Sequence, residues 1–289
     1  MRKMINLHPS STILFYICVI FYSMYTTNLY IMIISFLSAI LFLMLLQGFK
    51  RSIKYIIMML LLIILISITN QMFTHQGSTI LFKIGKLNYT YEALIYGLYM
   101  GLMISSILTW FMTYNIVISN DKFIYLFGGL FPNIAISISM GLSYLPRLRK
   151  QSNKIINAQK NLGFYSSSLK DKIKISLRAF SILTTYSLEN SLDLADSMNA
   201  RGFGVKKRTR FSIYKYTFGD VIFTSLMVLL ASYIIYYSLS IKNKFVYYPV
   251  ITKVVYNLHE ILIYIVVAIL MLIPSIIEAK ENLKWKYLK

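Results

Sequence analysis

The chain has 289 residues, of which 57% are hydrophobic and 14% charged, and its mean hydropathy is +0.62. Ordinary soluble domains carry roughly 25% charged residues, so a soluble fold of this length could not bury so much apolar surface. The composition therefore predicts an integral membrane protein. A net charge of +20 raises nucleic-acid binding as an alternative, but Lys and Arg in a multi-span protein usually mark its cytoplasmic loops.

Six apolar runs along the chain are long enough to cross a bilayer. A helix needs about 20 residues, each rising about 1.5 Å, to span about 30 Å of hydrocarbon. The runs lie at 11–27, 29–47, 54–70, 93–118, 217–240 and 256–278. Arg2 and Lys3 precede the first run as in a signal peptide, but no small-residue cleavage site follows, so we predict that it is retained. The predicted fold class is an all-α polytopic membrane protein of about six spans.

The distribution of basic residues predicts the orientation of these spans. With the N-terminus in the cytoplasm and six crossings, 25 of the 30 Lys and Arg residues lie inside and 5 lie outside. This asymmetry follows the positive-inside rule and accounts for the net charge without nucleic acid. We therefore predict a multi-pass protein of the cell membrane with both termini in the cytoplasm.

The spans divide the chain into three parts. Residues 1–118 are predicted to form about four N-terminal spans, 119–215 a cytoplasmic region, and 216–289 about two C-terminal spans. The acidic residues in or beside the spans all lie near span ends, where we expect water to reach them: Glu92, Asp220, Glu260 and Glu278. Ion-coupled carriers place ionisable groups near the midplane, so we predict that this chain carries no coupling ion of its own.

The cytoplasmic region begins with an interrupted apolar stretch and a first long helix. Residues 123–145 contain three glycines and a proline, and are predicted to form two shorter helices at the membrane surface. Pro146 is expected to open the long helix, because the missing N–H of a first-turn proline costs nothing. Gly163 is expected to end it.

A second long helix is predicted from Ser168 to the Arg201-Gly202 pair. Ser168 is a candidate N-cap, and Asp171 three residues later completes a pattern like a capping box. The helix has a broad apolar stripe. Its members are Ile175, Leu177, Phe180, Leu183, Leu188, Leu192, Ala195 and Met198.

Similar short sequences end the two helices. They are Ala158-Gln159-Lys160-Asn161-Leu162-Gly163 and Met198-Asn199-Ala200-Arg201-Gly202-Phe203. Here the chain resembles the transmembrane T component of energy-coupling factor (ECF) transporters, which is related to the cobalt-transport permeases. That family ends two cytoplasmic coupling helices with Ala-Arg-Gly-type motifs. The second motif matches, whereas in the first Leu162 stands where the family usually has Arg, and Lys160 carries its charge at a different position.

Two further patterns are similar to the same family. The segment from Leu145-Pro146 to Ala158-Gln159 resembles the lead-in to the first motif. Between the third and fourth spans, residues 70–82 and then Thr90-Tyr91-Glu92-Ala93 and Gly97 resemble an external Leu-Phe-x-His-x-Gly pattern followed by Glu-Ala and Gly. Together the resemblance covers about residues 65–205.

The resemblance implies a coupling subunit of an ABC-type importer. Two ABC-type ATPase subunits would bind the coupling helices, and a separate small substrate-binding (S) subunit in the membrane would capture a micronutrient, either a vitamin or a metal ion. The ATPase-docking set implied is Ala158, Gln159, Lys160, Leu162, Gly163, Ala200, Arg201 and Gly202. Arg201 suits docking because its planar guanidinium can pair bidentately with a carboxylate.

Simpler roles exist for several of these residues. Arg201 can offset the negative end of its helix and touch lipid phosphate. The basic run 206–210 is typical of a membrane anchor on the positive side. Gly97 and Gly101 form a small-xxx-small pair that predicts close helix packing, for which the S subunit is one candidate partner.

Two other function classes stay open as alternatives. Asp193 and Asp196 share a helix face, as in metal-dependent membrane prenyl transferases, but the sequence has one such pair only. No Gly-x-Ser-x-Gly, His-Glu-x-x-His or Walker-type phosphate loop occurs, so we predict no enzyme, cofactor or metal site, with ATP hydrolysis in partner subunits. His75 is expected to form a structural hydrogen bond. The remaining alternative is a stand-alone secondary carrier.

Overall fold

The computed structural model describes residues 7–74, 76–84, 87–163, 168–204, 214–240, 245–252 and 258–287. Within these ranges the chain forms nine α-helices and one β-hairpin. The helices are α1 Pro9–Tyr25, α2 Leu29–Gln47, α3 Phe49–Phe73, α4 Tyr91–Val117, α5 Asn120–Leu130, α6 Pro132–Asn161, α7 Leu169–Ala200, α8 Phe218–Ser240 and α9 Leu258–Tyr287. The hairpin joins β1 Ile80–Ile84 to β2 Leu87–Thr90. Two compact units result, Met1–Phe123 with Tyr214–Lys289, and Ile124–Ile213.

Five of the described helices are long and apolar enough to cross a membrane. They are α2, α3 and α4, with the segments Phe218–Tyr236 of α8 and Ile261–Lys284 of α9. The remaining predicted span, α1, is a shorter apolar helix of 17 residues. The prediction of an all-α polytopic membrane protein is confirmed.

The core of the first unit is built around Trp110 of α4. This side chain is fully buried, and the rings of Phe15, Phe42 and Tyr16 lie with their centroids 5.6, 6.3 and 6.4 Å from it. Its indole Nε1 donates a hydrogen bond to Ser35 Oγ at 3.2 Å. Because lipid cannot satisfy a polar group, this hydrogen bond lets a large amphipathic ring join α1, α2 and α4 inside the unit.

The expectation that water reaches the acidic residues of the spans is wrong for three of them. Glu92, Asp220 and Glu278 are buried, whereas the side chain of Glu260 lies outside the described part of the chain. Asp220 accepts hydrogen bonds from the backbone N–H of His8 at 2.9 Å and of Thr217 at 2.9 Å. These backbone donors, at the starts of α1 and α8, take the place of water around the carboxylate. The carboxylate can therefore be buried.

The predicted start of the first cytoplasmic helix is also wrong. Pro132 takes the first position of α6, and Pro146 lies inside the helix. The two shorter helices predicted before Pro146 are therefore α5 and the first half of α6. The φ angle of proline is fixed near the helical value, so a proline inside a helix does not force the chain to turn. It removes one backbone hydrogen bond and crowds one carbonyl, which together cost about 3 kcal/mol.

The second long helix forms as predicted. Ser168 caps α7 with a complete capping box: Asp171 N donates to Ser168 Oγ at 3.3 Å, and Ser168 N donates to Asp171 Oδ2 at 3.2 Å. The helix packs against α6 in the second unit, where Ile155 of α6 and Ala179 of α7 are buried.

The β-hairpin is a feature that the sequence predictions missed. Its strands pair antiparallel, with Lys83 opposite Asn88 and Ile80 opposite Thr90. The signal was present as two short runs of β-favouring residues around Gly85. The second strand ends at Thr90, directly before α4 begins at Tyr91.

Candidate docking site at two helix ends

The ends of α6 and α7 have the same backbone conformation. The residue after the last helical turn is Leu162 in α6, with φ −80° and ψ 8°, and Arg201 in α7, with φ −82° and ψ 6°. A glycine with positive φ follows each one, Gly163 at +84° and Gly202 at +76°. Leu162 therefore lies at the position in α6 that corresponds to Arg201 in α7.

Local hydrogen bonds explain why both helices end in this way. In α7, Gly202 N donates to Asn199 O at 2.9 Å and Phe203 N donates to Met198 O at 3.0 Å, the two bonds of a Schellman cap. In α6, Gly163 N donates to Lys160 O at 3.0 Å. Such caps need a left-handed residue after the helix, and only glycine adopts that conformation without strain. The helix stops predicted at Gly163 and Gly202 are confirmed.

The two caps present different chemistry to solvent. Leu162 is 74% exposed, and Arg201 is exposed at the negative end of α7. Lys160 is also exposed but precedes Leu162 by two residues, which is about 200° around the helix. Its side chain therefore starts from a different side of the helix than that of Leu162.

Gln159 is a buried polar residue beside the first cap. It is 4% exposed, and neither Oε1 nor Nε2 has a hydrogen-bond partner among the described residues. The neighbouring docking candidates Ala158 and Ala200 are exposed. The eight predicted docking residues therefore form two separate helix ends, and Gln159 is the one whose side chain is turned away from solvent.

The two aspartates considered as a catalytic pair lie on the surface of α7. Asp193 and Asp196 are exposed, and so is Glu189 one turn earlier. Among the described residues, no group of three or more His, Cys, Asp and Glu side chains is placed to hold a metal ion. His75 and the basic run 206–210 lie outside the described residues.

A third group of residues surrounds the buried carboxylate of Glu92. Ser78 Oγ donates to Oε1 at 3.0 Å, and Thr79 donates through its backbone N–H to Oε1 at 3.1 Å and through Oγ1 to Oε2 at 2.9 Å. Asn70 Nδ2 donates to Ala93 O at 2.8 Å. A Cβ on Gly77 would lie 2.5 Å from Glu92 Oε2, so this glycine permits the close approach. Of the pattern noted between the third and fourth spans, Ser78, Thr79 and Glu92 thus form one hydrogen-bonded cluster.

Comparison with known proteins identifies the family of the chain. Residues 5–212 match the model of the CbiQ family, described as cobalt transport protein, which is well over half of the chain. The chain belongs to this family. The resemblance to ECF transporter T components is confirmed, because relatives named energy-coupling factor transporter transmembrane protein align with it.

Three of these T components illustrate the extent of the similarity. The Listeria innocua protein is 31% identical over 185 residues, which cover 58% of this chain and 68% of that protein. The EcfT 1 protein of Listeria monocytogenes is 37% identical over 103 residues, 35% of this chain and 39% of its own length. The Lactobacillus helveticus protein is 32% identical over 100 residues, 34% and 36% of the two lengths. The match thus spans less than half of the last two relatives.

In this T component, the small-xxx-small pair of α4 packs against α3 of the same chain. A Cβ on Gly97 would lie 2.9 Å from Ser67 Cα, and one on Gly101 would lie 3.0 Å from Ile63 Cα. Both glycines are buried. Close helix packing is therefore observed within the chain, and the contact suggested with an S subunit stays a prediction.

Proposed function

We propose that this T component is the membrane scaffold of an ECF-type ABC importer that couples two ATPase subunits to a separate S subunit. The observation that carries the proposal is the pair of matched helix ends, Leu162-Gly163 and Arg201-Gly202, on two long helices of one unit. A subunit that binds two similar partners needs two similar contacts, and these two caps share one backbone geometry.

The physical properties of α6 and α7 support a mechanical role. A helix of 30 residues is about 45 Å long and transmits a displacement of its end along its whole length. Arg201 stays charged at all relevant pH values and can form a bidentate pair with a carboxylate in a partner groove. ATP-driven closure of the ATPases would move the two ends, and the helices would carry that motion to the S subunit.

Orientation and cargo form part of the same proposal. The charge asymmetry supports a cell-membrane protein with cytoplasmic termini and with 119–215 facing the ATPases. The 1–118 and 216–289 regions would provide the spans. The S subunit would select the micronutrient, a vitamin or a metal ion, and the T component itself would bind neither cofactor nor nucleic acid.

A pull-down from the native cell in mild detergent tests the proposal. The tagged wild type is compared with Arg201→Glu and with Lys154→Glu, an equal charge reversal at an exposed position of α6 away from the caps. We expect ABC-type ATPases and a small membrane protein with the wild type and with Lys154→Glu, and much less ATPase with Arg201→Glu. Recovery of the chain alone in all three cases would contradict coupling and favour the carrier or enzyme alternative.

A further inference from the structure

The last turns of α6 and α7 carry a polar and an apolar side chain in opposite order. Three residues before the end position, α6 has Gln159 and α7 has Met198; at the end position itself, α6 has Leu162 and α7 has Arg201. Residues three apart are neighbours on the surface of a helix. Because the two ends share one backbone conformation, they present the same pair of positions with the polar and apolar side chains exchanged.

The amide of Gln159 is buried without hydrogen bonds. The side chain is 4% exposed, and Ile155, one turn earlier on the same face of α6, is buried as well. An amide has two N–H donors and a carbonyl acceptor, yet neither Oε1 nor Nε2 of Gln159 has a partner among the described residues. A buried polar group without a partner lowers stability. Packing of the helix pair therefore does not explain why a glutamine stands here.

Uncovering Gln159 breaks no hydrogen bond with the described residues, because the amide makes none with them. Once uncovered, its Nε2 can donate to the carboxylate oxygens that a guanidinium would pair with, although without the added strength of a positive charge. Leu162 lies one turn further on and about 60° around the helix, so the two side chains start from the same side of α6. The end of α6 can therefore offer a hydrogen-bond donor close to its cap, as the end of α7 does with Arg201.

We propose that Gln159 is the polar contact of the α6 docking site, covered in the free chain and uncovered when an ATPase subunit binds. Its amide would donate to a carboxylate in the ATPase groove and so serve α6 as Arg201 serves α7. The inference rests on the proposed function and deepens it, because it names the group that α6 uses although Leu162 stands at its cap. It also gives docking at α6 a conformational step that docking at α7 does not need.

The test measures ATPase binding and helix opening separately on the full-length chain. ATPase subunits recovered in the pull-down are purified and titrated onto the chain, both with and without Arg201→Glu, which weakens the α7 site. Opening is measured with Ala179→Cys in a Cys18→Ser background, because a thiol at this buried position reacts with a maleimide when the packing around it opens.

Two substitutions of glutamine by methionine are compared. Gln159→Met keeps an unbranched side chain of similar length, removes the amide and reproduces the residue that α7 has at the same position. Gln151→Met, at a half-buried position two turns earlier on α6, is the matched control.

We expect Gln159→Met to weaken ATPase binding about tenfold and to slow labelling at position 179 about tenfold, since one polar group changes each equilibrium by roughly that factor. A residue with a purely structural role would not weaken docking while it stabilises the packed helices. Adding Leu162→Arg to Gln159→Met should restore binding, because α6 then has the arrangement of α7, and labelling should stay slow. Gln151→Met should change neither quantity.

Two results would overturn the inference. Faster labelling with Gln159→Met would show that the amide supports the packed state, and unchanged ATPase binding would show that it is no contact. If Arg201→Glu weakens ATPase binding and Gln159→Met does not, the inference fails and the proposed function stands. If the wild type recovers no ATPase subunit, the proposed function fails and the inference fails with it.

Discussion

Leu162 and Arg201 occupy equivalent cap positions on two helices, with φ and ψ that agree to 2°. One side chain is apolar and the other is a permanent cation, and the glycine that follows each is left-handed. Because the backbone frames match, exchanging one side chain changes the chemistry of the cap without changing its shape.

We therefore predict that Leu162→Arg strengthens binding of an ATPase subunit to the end of α6. A charge-assisted hydrogen bond contributes about 1.5–3 kcal/mol, which corresponds to about tenfold or more in affinity. Titration of the purified chain with its ATPase subunits measures the change. Leu162→Lys is the control, and it should give a smaller gain because an ammonium lacks the planar fork. Weaker binding by Leu162→Arg would show that leucine itself is the anchor, in an apolar pocket.

The Glu92 cluster should contribute measurably to stability. Glu92→Gln keeps the shape of the side chain but removes the charge that Ser78 and Thr79 bind. We expect the free energy of unfolding to fall by about 1–3 kcal/mol, as SDS titration in mixed micelles would measure. Glu189→Gln, at an exposed position of α7, should change it by less than about 0.5 kcal/mol. Equal effects of the two substitutions would contradict a structural role for the cluster.

Alanine at Gly101 should separate α3 from α4. The new Cβ would lie 3.0 Å from both Cα and O of Ile63, and backbone atoms cannot rotate away as a side chain can. Overpacking of this kind costs about 1–3 kcal/mol. Gly141→Ala is the matched control, because no described heavy atom lies within 4 Å of that Cβ. It should be neutral or stabilising by up to about 1 kcal/mol through helix propensity. A neutral Gly101→Ala would mean that the two helices are not in close contact.

Stability should decrease as the pH falls below the ordinary histidine pKa of about 6.5. Burial lowers the pKa of His8, and the Asp220 carboxylate raises it by a smaller amount. At pH values between the pKa of His8 in the folded chain and 6.5, the His8 side chain binds a proton in the unfolded chain but not in the folded chain. The free energy of unfolding therefore decreases as the pH drops through this window.

Thermal unfolding in detergent on either side of that window measures the effect. His8→Asn supplies the comparison, because asparagine can still accept the hydrogen bond that His8 Nδ1 receives from Ser10 N at 3.3 Å but does not titrate. The difference in Tm between the wild type and His8→Asn should grow as the pH decreases. A difference that is independent of pH would exclude His8 as the titrating group.

Predictions from the sequence succeeded where the determinants are local. The cap at Ser168 depends on Asp171 three residues away, and the stops at Gly163 and Gly202 depend on bonds within one helical turn. The position of Pro146 was misjudged because a proline is acceptable both at the start of a helix and inside one, and Pro132 had already taken the first position. The hairpin was missed because two strands of four and five residues give a weak pattern.

The sequence by itself determined the membrane class, the second long helix and the residues at which both long helices end. Span length and capping depend on neighbouring residues, and the charge asymmetry is a count that needs no contact between distant residues. The tertiary structure alone decided that Glu92 and Asp220 are buried, that Gly101 contacts Ile63, and that α7 has one covered and one exposed apolar face. These features depend on residues distant in the chain: 38 positions separate Gly101 from Ile63, and 212 separate His8 from Asp220. Helical periodicity shows which residues share a face, but only packing decides what that face meets.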